Sequence, residues 1–152
     1  LSLVVGQPST VDSLYASAIE AGATEIKPVS KSFWGYGGSL RAPDGAIWKI
    51  ASSSKKETGP ATRQIDDVVL LLGVDDVKAT KQFYVDQGVK VGKSFGSKYV
   101  EFETENVTFA LYSRQALAKD AGVSAEGSGS HRIAIMSDAG AFIDPDGFSW
   151  ES

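Results

Sequence analysis

A chain of 152 residues with 42% hydrophobic and 22% charged side chains is long enough to bury one substantial core and has the balance of an ordinary soluble globular protein. Nineteen acidic against fifteen basic residues give a net charge of −4. That excludes an extended phosphate-binding surface, because Lys27, Lys31, Lys55 and Lys56 are too sparse to form one. Cysteine is absent, which removes disulfides, thiolate nucleophiles and thiolate metal sites and fits a reducing compartment. No apolar run is long enough to span a bilayer and no charged-then-apolar leader opens the chain, so a cytoplasmic protein with neither a membrane nor a nucleic-acid partner is expected.

The chain begins at Leu1 rather than Met, and native residues are expected to precede it. Leu1 to Val5 reads as a buried strand. Ser9 and Asp12 have capping-box spacing, and Val11, Leu14, Tyr15 and Ala18 recur at helical period up to Gly22. Ala23 to Lys27 reads as a strand stopped by Pro28; Lys31 to Gly37 reads as a loop, and Gly38 to Ala42 with Ala46 to Ala51 as a hairpin. This order, one strand, one helix and three strands, is a complete module over residues 1–52. The polar, breaker-rich stretch 53–63 reads as a flexible linker.

Residues 64–113 repeat the order. Asp67 to Leu72 is a strand, Asp75 or Asp76 caps a helix with Val77, Thr80, Phe83 and Tyr84 inward, and strands are expected over 89–95, 99–103 and 107–112. Ser113 to Asp120 reads as a short helix. The remaining tail has a strand at 131–136 and a hairpin but lacks a helix near 136–140, so residues 114–152 form a truncated third half-module within one domain. It either completes a sheet begun by residues preceding Leu1 or pairs with a neighbouring subunit, because three orphan strands leave open edges.

One phrase occurs twice. Pro43-Asp44-Gly45 with Trp48 returns as Pro145-Asp146-Gly147 with Trp150, and Gly38 and Gly140 stand equally far before each proline. Pro presets φ, Asp bonds its own backbone and Gly accepts positive φ, so each copy is a tight turn between strands. With the aromatic-glycine run Trp34-Gly35-Tyr36-Gly37-Gly38 before one copy, this resembles the closing hairpin of the vicinal oxygen chelate superfamily. Those proteins include glyoxalase I, the bleomycin-resistance proteins and the extradiol dioxygenases. The run from Ile65 to Leu70 followed by Asp75-Asp76-Val77 and Phe83-Tyr84 resembles the opening strand and helix of the same module. The resemblance implies an α+β fold of paired βαβββ modules, with cupped mixed sheets inside and helices outside. It also admits a homodimer, since such modules commonly pair between subunits.

The same resemblance implies four metal ligands, two His near module starts and two Glu on later strands, which would let vicinal substrate oxygens chelate one divalent ion. Here the first position holds Asp67, and the Glu of the second module falls on Phe109, or on Leu111 in a shifted register. Lys49 replaces the Glu of the first hairpin, and only Glu151 keeps the implied identity. His131 is one residue out of register, with Arg132 in the implied place. No metal is therefore the favoured expectation; the alternative is Ni, Zn, Mn or Fe held by Asp67, His131 and Glu151.

Trp34, Tyr36, Lys49, Asp67, Phe109, Tyr112 and Glu151 are the candidate pocket residues, with Lys49 and Asp67 as a prospective ion pair. Their rings suit an aromatic small-molecule ligand. The leading expectation is a metal-independent small-molecule binding protein. A lyase or dioxygenase of the glyoxalase type with an altered ligand set is the alternative, and a module serving only assembly is the third.

Overall fold

The computed structural model describes residues 1–127 and 133–152, and these fall into two compact units. Unit 1 comprises Leu1–Leu70 with Lys119–Val123, and unit 2 comprises Leu71–Ala118 with Ser124–Ser152. Both combine helices with mixed sheets, the α+β class expected from the sequence. Among the described residues no helix is long and apolar enough to cross a membrane.

Unit 1 contains β1 (Ser2–Val4), α1 (Pro8–Glu20), β2 (Thr24–Ser32), β3 (Gly35–Arg41), β4 (Ile47–Ser52) and the first half of β5 (Asp67–Val74), in sheet order β2-β3-β4-β1-β5. β1 runs parallel to β4 and antiparallel to β5. Because side chains alternate across a strand, Leu3, Leu40, Trp48 and Ile50 all point toward α1, where they meet Val11, Leu14, Tyr15 and Ala18. Tyr15 anchors this core. Its hydroxyl donates to Glu25 Oε2 at 3.1 Å, with the carbonyls of Lys27 and Ser39 at 3.1 and 3.2 Å, and burial followed by the Glu25 contact pushes its phenol up to about 12.

Two local expectations are corrected here. α1 starts at Pro8, with Gln7 in extended backbone as the N-cap, so Ser9 lies inside the first turn; proline at the first helical position has the required φ and lacks only an N–H that would be orphaned anyway. β2 does not stop at Pro28. It is an edge strand whose register shifts on both sides of Lys27, and an edge strand with bulges tolerates a missing N–H. The expected loop thus shrinks to the turn at Phe33 and Trp34 between β2 and β3.

The stretch 53–63 is exposed yet tethered. The buried side chain of Gln7 accepts from Thr58 N (2.7 Å), Thr58 Oγ1 (2.9 Å) and Gly59 N (3.1 Å) and donates to Pro60 O (2.8 Å), while Thr10 Oγ1 accepts from Thr62 N (3.1 Å). A side chain that uses both ends of its amide on one segment fixes that segment's path over α1.

Unit 2 contains the end of β5, α2 (Val77–Asp86), β6 (Val91–Phe95), β7 (Tyr99–Phe102), β8 (Thr108–Ser113), most of α3 (Arg114–Ala121) and the tail strands β9 (Ala134–Met136), β10 (Phe142–Ile143) and β11 (Ser149–Glu151). Its larger sheet has the order β5-β8-β7-β6. Asp76 caps α2 by accepting from the backbone N–H groups of Lys78 and Ala79 at 2.9 and 3.0 Å. Val77, Thr80 and Tyr84 are buried beneath it.

The tail forms its own sheet, β10-β11-β9, with β11 parallel to β9 and antiparallel to β10. This matches the β3-β4-β1 part of unit 1, where β4 is likewise parallel to β1. α2 covers this sheet. Tyr84 sits within 5.2–5.5 Å of the rings of Phe102, Phe109 and Trp150, and Phe83 lies 5.6 Å from Phe142.

Both Pro-Asp-Gly copies form the same turn. Gly45 N donates to Ala42 O and Ala42 N to Ala46 O, just as Gly147 N donates to Asp144 O and Asp144 N to Phe148 O, with φ near +90° at both glycines. In the second copy the aspartates also hold the tail. Asp144, 4% exposed, accepts from Tyr84 Oη and from the N–H groups of Asp146 and Phe148; Asp146 accepts from Asp75 N, Thr80 Oγ1 and Arg114 Nη2. The most family-like motif of the sequence is therefore structural in this chain.

Candidate functional site

The face of the unit 1 sheet away from α1 carries a cavity of about 280 Å³. Strand pairing explains what lines it. Ser39, Lys49 and Ser2 lie in one row across β3, β4 and β1, and Gly37, Ala51 and Val4 in the next, so their side chains share this face. Gly37 leaves the floor flat: a Cβ there would stand 2.6 Å from Ile50 O and 2.8 Å from Ala51 Cβ. Ser30, Ser32 and Ser53 also line it, and Trp34, 84% exposed, stands at the rim with Phe33 edge-on at 5.0 Å.

The end of α3 closes one side. Lys49 Nζ lies 2.6 Å from Asp120 Oδ2, Ser39 Oγ donates to Ala121 O at 2.6 Å, and Lys27 Nζ reaches the carbonyls of Lys119 and Asp120 at 3.4 and 2.9 Å. A cation over the last carbonyls of a helix is electrostatically favourable, because those groups carry the negative end of the helix dipole. Sequence reasoning missed Lys27, Ser39 and Asp120. Their only signal was a lysine and a serine on the same face as Lys49; nothing local brings Asp120, 71 positions away, to that face.

The other candidate residues are placed as follows. Tyr36 has its backbone beside the cavity, but its ring packs toward α1 and its hydroxyl donates to Asp12 Oδ1 at 2.7 Å; that bond, with some burial, pushes the phenol above its ordinary value. Asp67 shares a row with Val4 and Ala51, so it is on the same face as Lys49, two strands across; the carboxylate 2.6 Å from Lys49 Nζ is that of Asp120. In unit 2, Phe109 is 4% exposed and stacks on Phe102, and Leu111 is fully buried. Both point into the core. The third residue of β8, the counterpart by position of Lys49 in β4, is Ala110. Tyr112 lies on the opposite face, its ring 6.2 Å from that of Tyr99. Glu151 is exposed on β11. His131 lies outside the described residues.

These donors do not fit the implied metal site. Lys49, in the implied Glu position of the first hairpin, is a cation already ion-paired; Phe109 and Leu111, the alternatives for the second, have no donor atom; and Asp67 and Glu151 belong to different units. Among the described residues no three His, Cys, Asp or Glu side chains form a group able to hold a metal ion.

No protein-family model and no curated protein matches the sequence. Solved structures do. Glyoxalase I from Zea mays aligns over 99% of this chain and 65% of its own length at 13% identity, with a TM-score of 0.55. A glyoxalase-related enzyme from Fulvimarina pelagi aligns over 59% of this chain and 86% of its own at 20% identity and a TM-score of 0.47. A Mn(II)-bound glyoxalase from Novosphingobium aromaticivorans covers 98% of this chain and 60% of its own at 21% identity and a TM-score of 0.38. At these identities the likeness concerns fold, and the maize comparison carries it.

Proposed function

We propose, from a chain that carries the fold of the vicinal oxygen chelate superfamily, that unit 1 binds a small aromatic molecule in its open-faced cavity without using a metal. The observation that carries this reading is Lys49. Where the resemblance implies a metal-binding Glu, the site presents an ammonium in an ion pair with Asp120, beside an unobstructed glycine floor and an exposed indole. A flat ring can lie on the floor at Gly37 and against Trp34, while the surrounding serines bond polar substituents. An anionic substituent would compete with the Asp120 carboxylate for Lys49. This is the behaviour implied by resemblance to bleomycin-resistance proteins, which sequester their ligand rather than transform it, and fold by itself does not assign it.

The test is calorimetric titration of the whole protein with a panel of aromatic antibiotics, in chelator and then with Ni²⁺, Zn²⁺, Mn²⁺ or Fe²⁺ added. Binding in chelator, weakened about tenfold by Trp34→Ala, is the expected result. Binding that requires a divalent ion, or that is indifferent to both Trp34→Ala and Lys49→Met, would overturn the proposal.

A further inference from the structure

The opposite face of the same sheet holds a second cavity, about 420 Å³, between the sheet and α1. Its walls are Leu3, Leu40, Trp48 and Ile50 from the strands and Leu14 and Ala18 from the helix. It stays open because alanines 18, 21, 23 and 42 stand around it, and each is too short to close the gap between helix and strands. The volume lies in the range of small-molecule sites, roughly 300–1,000 Å³.

One charged group borders it. The Arg63 guanidinium stands at the mouth, with Nη1 3.2 Å from Ser17 Oγ, and among the described residues it has no ion pair. Its position is not accidental: the segment that carries it is fixed over α1 by the bonds from Gln7 and Thr10, the nearest of them at Thr62 N, one residue before Arg63. Among the described residues no acidic side chain lines the cavity.

We propose that this cavity is a second ligand site, for an amphiphilic monocarboxylate. An apolar wall gains from an alkyl or ring body and rejects sugars and phosphates, whose polar groups would be left without partners. A single guanidinium with a hydroxyl beside it recognises one carboxylate, with the fork of N–H donors facing two oxygens. The site is independent of the cavity on the other face.

The test is calorimetric titration of the whole protein with octanoate and with 1-octanol. One saturable site is expected for octanoate. Arg63→Gln should weaken octanoate roughly tenfold or more and leave octanol unchanged, because only the carboxylate uses the guanidinium. Ala18→Leu, which puts three more carbons into the cavity wall, should weaken binding of both while the melting temperature is kept, which separates a narrowed site from a misfolded chain. Absence of saturable octanoate binding, or equal binding by wild type and Arg63→Gln, would overturn the proposal. So would loss of octanoate binding in Lys49→Met in place of Arg63→Gln, since it would put the ligand on the other face. A concentration-dependent dimer that Ala18→Leu dissociates would assign the cavity to a second copy of the chain and also overturn it.

Discussion

Replacing Tyr84 by Phe removes one oxygen from the centre of unit 2 and nothing else. Tyr84 is fully buried, its hydroxyl donates to Asp144 Oδ2, and it accepts from Trp150 Nε1 at 3.2 Å. Asp144 keeps its two backbone donors on Oδ1, but Oδ2 loses this one, and so does the indole its acceptor. A hydrogen bond to a carboxylate contributes about 1.5–3 kcal/mol and an orphaned buried donor costs about 1 kcal/mol more, so the loss should be about 2–4 kcal/mol. For a chain of this size that is roughly 4–16 °C in melting temperature. The assay is thermal and urea unfolding followed by near-ultraviolet circular dichroism, which reports the packed rings around Trp150. A double-mutant cycle with Asp144→Asn should give a coupling of at least about 1 kcal/mol. A loss under about 0.5 kcal/mol would refute the reasoning, because it would mean that the hydroxyl, the carboxylate and the indole do not form one buried unit.

The same phenol sets an alkaline limit. Burial first, and then the bond to Asp144, hold Tyr84 well above the ordinary tyrosine value of 10.0, and Tyr15 is pushed up to about 12. A raised folded value means that the unfolded chain releases these protons first, so the two phenols leave stability unchanged well below pH 10 and lower it as pH rises through and above 10; urea midpoints across that range should show a shallower fall in Tyr84→Phe. Gly38→Ala should cost about 1–3 kcal/mol in unit 1, since the new Cβ would stand 2.8 Å from Lys27 O and 2.9 Å from Val29 N, both backbone; a wild-type melting curve would contradict the close strand approach. Asp76→Ala should cost about 1 kcal/mol through the lost cap of α2, and Asp76→Asn far less, as read by urea unfolding. Lys49→Met should change stability by less than about 1 kcal/mol, because both partners of its ion pair are more than a third exposed; a larger fall in the urea midpoint would contradict that.

The sequence carried the fold well because its signals were periodic or repeated. Alternation placed Phe102 and Val100 on one face of β7, helical spacing placed Val77, Thr80 and Tyr84 inside, and the doubled Pro-Asp-Gly marked two turns that share the same backbone bonds. It carried the site less well because the site is assembled from distant pieces. Asp120 meets Lys49 only once α3 has been brought to the sheet, and Ser39 meets Ala121 across 82 positions. In β8 one residue exchanges one face of the sheet for the other: Phe109 and Leu111 pair with Phe102 and Val100 on one face, and Ala110, also buried, lies on the face of Tyr112. The polar stretch 53–63 read as loose because composition reports solvation, while Gln7, which ties it down, lies more than fifty positions away.

Pro28 has a consequence beyond its effect on register. β2 is the outermost strand of its sheet, nine residues long and almost wholly exposed, a length and position that invite another extended chain to add itself. The proline withholds a donor at mid-strand, the irregular pairing around it twists the ribbon out of line, and Glu25, Lys27 and Lys31 place charges along the same strand. The chain thereby protects its longest open border against templated growth into fibrils. A straight valine at position 28 would keep the ladder and give up that protection.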